Sequence, residues 1–325
     1  MIARIGYVAI GRNEGDRLKA CLSSLRRDAS APIVYVDSGS DDDSVAVARS
    51  YDAEIVALNL ERPFTAARAR NAGARRLIEI ASTDYIQFID GDCALDSGWA
   101  ETARAFLDSN DDVAVVCGRR RERRPRASVY NRLCDIEWDT PIGETLACGG
   151  DAMMRRRALE QAGFYDERLI AGEEPELCVR LREKGWKIRR LDAEMTLHDA
   201  AMSKFGQWWK RSARAGHAFA EVSRLHRKSA FGIWKRETAR AVFWSAIAPI
   251  ALLLALTAGP WAALLLAAYP IQIARLGWGA RERLGDAALP WAFFTVIGKF
   301  PEAVGALRYH AGRLVGRRAG LVEYK

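Results

Sequence analysis

Two carboxylates enclose a single glycine directly after an apolar segment of the chain. Asp90-Gly91-Asp92 follows residues 85–89, a short run typical of a buried strand. Two carboxylates at a strand end can share one hard cation, and Mg²⁺ or Mn²⁺ binds few protein carboxylates together with phosphate oxygens of a substrate. Surface turns also contain this triplet, so the preceding strand is what favours a site. We therefore predict a divalent-metal site here.

Two further segments suggest contacts with a nucleotide. Asp37 follows the apolar residues 33–36, and its carboxylate can accept hydrogen bonds from a base or a ribose. A plain Asx turn before a helix is the alternative. Arg68 and Arg70 lie in a helical pattern, where a guanidinium can bind a phosphate through two hydrogen bonds. A solvated helix face is the alternative for them.

An acidic pair and a histidine complete the reactive residues. Glu173 and Glu174 begin a predicted helix, and either carboxylate could deprotonate an acceptor hydroxyl. Carboxylates are also common there because of the helix dipole. His198 follows a strand-like segment. A single histidine is more often structural, but beside a carboxylate metal site it becomes a candidate ligand.

The elements that must position these residues alternate along the first 110 residues. This order predicts an α/β fold with a mostly parallel, doubly wound sheet. Ligands of such sheets bind beyond the carboxyl ends of the strands, where Asp37 and Asp90 both lie. The predicted strands are 5–10, 33–36, 54–58 and 85–89, and the predicted helices are 16–27, 44–51 and 65–82.

Composition narrows the class of protein. The formal net charge of +8 suits anionic lipids, nucleic acids or phosphorylated substrates, and no nucleic-acid-binding motif accompanies it, so we predict no nucleic-acid partner. The six cysteines form no C-x-x-C pair, which favours buried thiols in a reducing compartment over a zinc site. No G-x-G-x-x-G follows the first strand, which argues against a dinucleotide-binding enzyme.

The last third of the chain differs from the rest. Residues 241–274 carry no charge, and Gly259-Pro260 near their middle predicts a membrane hairpin, with a buried soluble hairpin as the alternative. Residues 287–307 predict an interfacial helix. The domains expected are therefore a catalytic domain over 1–228 and a helical, membrane-associated region over 229–325. Basic residues flank both ends of the hairpin: Lys235, Arg236, Arg240, Arg275, Arg281 and Arg283.

Charge and the N-terminal sequence together predict a location. By the positive-inside rule, both ends of the hairpin face the cytoplasm. Residues 1–4 lead straight into a strand-like segment without an apolar signal sequence, so we expect the catalytic part not to be exported. The expected place is the cell inner membrane, with the catalytic domain in the cytoplasm.

The ordered set of motifs resembles the family 2 glycosyltransferases of the GT-A fold. The resemblance spans about residues 5–190 and is specific through the order and spacing of its motifs. It implies a nucleotide-sugar-binding domain, metal dependence and transfer to a saccharide or lipid-linked acceptor. The residues that carry the resemblance are 9–14, 36–42, 70–73, 90–92, 149–151, 163–167, 172–174, 177 and 180–181.

The resemblance implies a role for each candidate. Asp37 would hold the nucleobase, with Asn13 and Glu14 lining the same pocket. Asp90 would lie near the donor ribose and sugar, and Arg70 would neutralise the diphosphate.

The remaining roles concern the metal and the base. Asp92 would bind the metal, and His198 would complete its ligands. The family usually has Glu-Asp where this chain has Glu-Glu, so Glu174 takes the position of the base and Glu173 is the reserve. The expected reaction gives an inverted glycoside and a nucleoside diphosphate. Two alternatives remain: a polyprenyl-phosphate glycosyltransferase, whose acceptor needs little help from a base, and a non-catalytic nucleotide-sugar-binding protein.

Overall fold

A computed structural model describes residues 4–28 and 30–316. The first three residues and the end of the predicted C-terminal region, 317–325, lie outside this part of the chain. Contacts divide the described chain into two units. The first contains the residues up to 125 and 134–201, and the second contains 126–133 and the residues from 202 onward.

The first unit is built on one mixed sheet. Its described strands are β1 (Ile5–Gly11), β2 (Ile33–Asp37), β3 (Glu54–Ala57), β4 (Tyr85–Asp90), β5 (Cys93–Leu95), β6 (Val113–Glu122), β7 (Gly143–Glu144), β8 (Ala152–Arg155) and β9 (Lys187–His198). They follow the order β3-β2-β1-β4-β8-β6-β9-β5, and β7 pairs with β9. The helices before residue 201 are α1 (Asp16–Leu25), α2 (Ser44–Ser50), α3 (Ala66–Ile80), α4 (Trp99–Ser109), α5 (Val129–Glu137), α6 (Arg156–Ala162) and α7 (Glu173–Glu183). Residues 129–133 of α5 belong to the second unit.

The four strands predicted from the sequence, β1 to β4, pair with one another in parallel. β1 lies between β2 and β4, and β3 pairs with β2, all in parallel. β6 and β9 are also parallel, whereas β8, β5 and β7 add antiparallel pairs. The predicted α/β fold is confirmed, and the seven elements expected in residues 5–90 all form.

The register of these strands fixes where the first two candidate acids lie. Asp37 pairs with Gly11 on one side of β1, and Asp90 pairs with Ile10 on the other side. Because the three strands run in parallel, both carboxylates leave the sheet at the same edge. The strands are held there by a core in which β2 is buried throughout and β1 and β4 nearly so.

The second unit is helical. It contains α8 (Phe205–Leu225), α9 (Lys235–Thr257), a 3₁₀ segment (Pro260–Ala267), α10 (Ala268–Leu284), α11 (Ala288–Ile297) and α12 (Lys299–Leu314). The main packing joins α8 to α12, while α9 contacts both of them. Since α8 packs with the C-terminal helices, it belongs to this unit, whereas the boundary predicted from the sequence is at residue 228.

Helix α9 is long and apolar enough to span a membrane. Its 23 residues include a window with a mean hydropathy of 1.9, of which 11% is buried. The chain then turns at Gly259, and the 3₁₀ segment packs back against α9. The segment predicted as one interfacial helix, 287–307, consists instead of α11 and α12, which are separated at Gly298.

Gly73 allows α3 to approach the sheet, and its replacement tests this packing. A Cβ atom there would lie 2.4 Å from Cγ1 of Val8 and 2.8 Å from Cγ2 of Val36. We expect Gly73→Ala to lower the free energy of unfolding by about 1–3 kcal/mol, the usual cost of overpacking. Urea unfolding measures it, with Gly149→Ala as the control because nothing lies within 4 Å of that Cβ position. Equal stability of the Gly73→Ala variant and the wild type would contradict this account of the packing.

Candidate functional site

Asp37 presents one free carboxylate oxygen at the carboxyl edge of the sheet. Its Oδ2 atom accepts hydrogen bonds from the backbone N–H groups of Gly39 and Ser40, at 3.0 Å each. Its Oδ1 atom is buried and has no hydrogen-bond partner among the described residues. A buried acceptor without a partner is costly, so a ligand donor at Oδ1 would be stabilising.

The loop after β1 is tied to the loop that follows Asp37. Asn13 adopts a left-handed backbone conformation with φ of 55°. Its side-chain Oδ1 atom accepts from the N–H of Asp41 at 2.9 Å, and its own N–H donates to Oγ of Ser40 at 3.0 Å. Glu14 forms an ion pair with Arg17 at 2.8 Å. The structure therefore joins Asn13 to the Asp37 loop and pairs Glu14 with a neighbour on α1.

Arg70 is buried at the centre of three carboxylates that come from two other elements. Its Nη2 atom lies 2.7 Å from Oδ1 of Asp90, at the end of β4. Its Nη1 atom lies 2.9 Å from Glu173 and 2.8 Å from Glu174, at the start of α7. Burial opposes the charge of Arg70, but the three carboxylates outweigh it and raise the pKa of Arg70.

The contacts of Arg70 bear on the role predicted for it. The sequence predicts that Arg70 contacts a diphosphate, but both of its Nη atoms are engaged by carboxylates. The same ion pair explains the glycine at position 150. A Cβ atom on Gly150 would lie 2.6 Å from Nη2 of Arg70 and 2.8 Å from Oδ2 of Asp90. Only glycine lets the chain pass this ion pair so closely.

The acidic pair begins α7, directly after Gly172 in a left-handed conformation. Both side chains are largely buried, with 5% of Glu173 and 12% of Glu174 exposed. Burial raises the pKa of Glu174 to about 7; Arg70 opposes this shift, while the negative charges of Glu173 and Asp90 add to it. A carboxylate with a pKa near neutral is suited to accept a proton at neutral pH.

Asp92 and His198, predicted as metal ligands, lie side by side. Pairing of β5 with β9 puts Cys93 opposite His198, and Oδ2 of Asp92 is 3.3 Å from Nε2 of His198. Glu122 lies 3.5 Å from the other ring nitrogen, and Trp138 contacts the ring edge-on with centroids 4.7 Å apart. Burial lowers the pKa of His198, which keeps the imidazole neutral and able to donate its lone pair.

Three residues of the site were given no role from the sequence. Arg120 bridges Asp90 and Asp151, at 3.0 and 2.8 Å from Nη2. Asp151 also accepts the N–H of Asp90 at 3.0 Å. The thiol of Cys93 lies within reach of the ligand atoms of Asp92 and His198. Arg120 lies within the arginine run 119–126. The available signal was the strand pattern, because alternate residues of β6 face opposite sides of the sheet and only some of these arginines can face the site.

Comparison with known proteins agrees with these motifs. Residues 10–163 match the family model described as glycosyl transferase family 2. The pre-mycofactocin glycosyltransferase of Mycobacterium tuberculosis is 26% identical over 231 residues, which cover 66% of this chain and 46% of that protein. The chain thus spans about half the length of the curated relatives it matches first.

Solved structures share the fold at low sequence identity. A mannosyltransferase from Pyrobaculum calidifontis, solved in complex with GDP-Man and Mn²⁺, is 20% identical with a TM-score of 0.61, over 94% of this chain and 88% of that one. Residues 1–349 of S. aureus TarS are 14% identical with a TM-score of 0.51, over 94% and 92%. The GT-A fold expected from the motifs is thereby confirmed.

Proposed function

We propose that this chain, which belongs to glycosyl transferase family 2, moves a sugar from a nucleoside diphosphate donor to an acceptor hydroxyl with inversion at the anomeric carbon. One observation supports the proposal most strongly. Around the carboxyl ends of β2 and β4 lie an acid with a free oxygen, a carboxylate–imidazole pair and a carboxylate whose pKa is near neutral. These are the groups needed to bind a nucleoside, a diphosphate and an acceptor.

Asp37 is the proposed contact for the nucleoside. Its free Oδ1 atom can accept one hydrogen bond from a base N–H or a ribose hydroxyl. The loop that contains it is held by Asn13, so the acceptor atom is oriented before the donor arrives. Asp90 faces the site with 30% of its side chain exposed, which suits a contact with the ribose or the sugar.

Asp92 and His198 are the proposed metal ligands. A carboxylate oxygen and a neutral imidazole nitrogen 3.3 Å apart form a donor set that fits Mn²⁺, and Glu122 can orient the imidazole from its far side. A divalent cation bound there would neutralise charge on the diphosphate leaving group. Mn²⁺ is also present in the solved complex of the Pyrobaculum mannosyltransferase, which supports this choice.

Glu174 is the proposed base. It accepts the proton of the acceptor hydroxyl, whose oxygen then attacks the anomeric carbon from the face opposite the diphosphate. The ion pair with Arg70 holds the carboxylate in place, and a pKa of about 7 leaves it both ionised in part and basic enough at neutral pH. Glu173 contacts the same guanidinium atom and is the reserve candidate.

We expect Asp92→Ala to abolish the effect of Mn²⁺ on nucleotide binding. Calorimetry with UDP and GDP, with and without Mn²⁺, measures the effect. The wild type should bind more tightly with Mn²⁺, and His198→Ala should lose part of this gain with little change in melting temperature. Asp111→Ala is a control, since that side chain is 85% exposed. Equal affinities of wild type and Asp92→Ala under both conditions would refute the metal site.

We expect transfer to depend on pH through Glu174. Because this group must be deprotonated to act and its pKa is raised to about 7, the rate should fall as the pH is lowered through 7. Glu174→Gln should retain donor binding and lose about 10²–10⁴-fold in rate, the usual contribution of a general base. Glu173→Gln is the matched control and should remain the more active of the two variants.

Two outcomes would change this assignment. An inactive Glu173→Gln variant beside an active Glu174→Gln variant would exchange the roles of the two residues. Full activity of both variants would indicate an acceptor that needs no base, such as a polyprenyl phosphate.

We further propose that the helical unit attaches the enzyme to the cytoplasmic face of the inner membrane, where a lipid-linked acceptor is within reach. Helix α9 supports this proposal, since only 11% of its most apolar window is buried in the described structure. Burial of apolar side chains in lipid stabilises by about 0.8 kcal/mol per CH₂ group. Exposed apolar side chains include Leu252, Leu253 and Leu256 on α9, and Trp261 and Leu264 on the 3₁₀ segment.

We expect full-length protein to sediment with membranes and to resist extraction by high salt and carbonate. The double substitution Leu253→Glu and Leu256→Glu should release it, because charges are costly in the bilayer core. Folding should be unaffected, since these side chains are 61% and 78% exposed. Leu146→Glu, at an equally exposed position of the first unit, is the control. Wild-type protein that is soluble without detergent would contradict membrane attachment.

A further inference from the structure

A second guanidinium lies beside Asp90, in a different situation from Arg70. The Arg120 side chain is 16% exposed, compared with 3% for Arg70. Its Nε atom donates to Asp151 at 2.9 Å, and its Nη2 atom is shared by Asp90 and Asp151 and lies 3.4 Å from the thiol of Cys93. The remaining Nη1 atom is not buried and forms no hydrogen bond with any described residue. The Nη1 atom of Arg120 is therefore available to donate a hydrogen bond to a ligand.

Asp151 fixes the direction of this donor. It is fully buried and accepts from three groups of the protein: the guanidinium of Arg120, the hydroxyl of Thr196 at 2.7 Å and the backbone N–H of Asp90 at 3.0 Å. A buried carboxylate with these contacts cannot rotate without losing several hydrogen bonds. The guanidinium held against it is consequently fixed as well.

The surroundings of Arg120 indicate which part of a donor it would meet. The guanidinium carbon lies 5.3 Å from the ring centre of Trp138, and the same ring contacts His198 edge-on. Cys93, which Nη2 also contacts, directly follows Asp92 in the chain. Arg120 thus lies between Asp90 and the proposed metal ligands, where a diphosphate would lie.

We infer that Arg120, and not Arg70, is the cation that contacts the donor diphosphate, and that Asp151 is the residue that positions it. This inference rests on the proposed function. Both Nη atoms of Arg70 contact carboxylates, and its Nε atom, which has no partner among the described residues, is buried. Arg120 can add a hydrogen bond through Nη1 while it keeps its bonds to Asp90 and Asp151.

The test compares the binding of nucleoside diphosphates with that of the matching nucleosides. Dissociation constants of UDP, GDP, uridine and guanosine are measured by titration in EDTA and again with Mn²⁺. Arg120→Gln should weaken diphosphate binding about 10- to 100-fold, the loss expected for a hydrogen bond to a charged group, and should leave nucleoside binding unchanged. Because the contact is direct, the loss should appear in EDTA too.

Three further variants make the result specific. Arg120→Lys keeps the charge without the planar fork and should bind the diphosphate with an intermediate affinity. Asp151→Asn should weaken diphosphate binding only, since it loosens the guanidinium. Arg121→Gln is the matched control on the same strand, because Arg121 is half exposed and pairs with Glu194, and it should bind like the wild type.

Different outcomes would contradict the role of Arg120 and the proposed function. Wild-type protein that binds neither diphosphate, with or without Mn²⁺, would overturn the proposed function itself. Wild-type binding that Arg120→Gln and Arg120→Lys both retain in full would overturn the role of Arg120. An equal loss for nucleoside and diphosphate would overturn it as well, because it would indicate a general distortion of the site.

Discussion

The site depends on one buried guanidinium that is shared by three carboxylates. Arg70 joins the end of β4 to the start of α7, and it comes from a third element, α3. Removing a charge from water costs several kcal/mol per ion, and removing one partner of such a cluster typically costs about 3–5 kcal/mol. Without Arg70, Glu173 and Glu174 would be left buried side by side without the guanidinium that contacts both, while Asp90 would retain its contact with Arg120. The cluster therefore needs its cation before it can be an active site.

Other features of the first unit serve this cluster. Gly150 gives the ion pair room, and the left-handed Gly172 begins α7 so that its first two side chains meet Arg70. The parallel register delivers Asp90 to the same edge as Asp37. A lysine could not replace Arg70, because its ammonium is a single point of charge, whereas the guanidinium meets acids on two of its nitrogen atoms. The packing that forms the first unit therefore also positions the residues of the site.

The sequence alone was sufficient to predict the site residues that follow an apolar strand directly in the chain. Strand ends could be predicted from apolar runs, so the edge with Asp37, Asp90 and Asp92 followed from the pattern alone. The partners of Arg70 could not be predicted, because Glu173 is 103 positions away and a guanidinium suits a phosphate as well as a carboxylate. Arg120 could not be distinguished from the other arginines of residues 119–126, because its partners Asp151 and Asp90 are also distant in the sequence. In the helical unit, composition predicted an apolar hairpin but could not predict the break at Gly298.

A structure of the protein with Mn²⁺ and either UDP or GDP would show directly whether Arg70 keeps its three carboxylates when a diphosphate is bound. The quantity to measure is the distance from the Arg70 guanidinium to the nearest phosphate oxygen, beside its distances to the three carboxylates. We expect Arg70 to stay on Asp90, Glu173 and Glu174, out of hydrogen-bonding range of the diphosphate. A guanidinium that leaves these carboxylates and binds the phosphates would contradict this expectation.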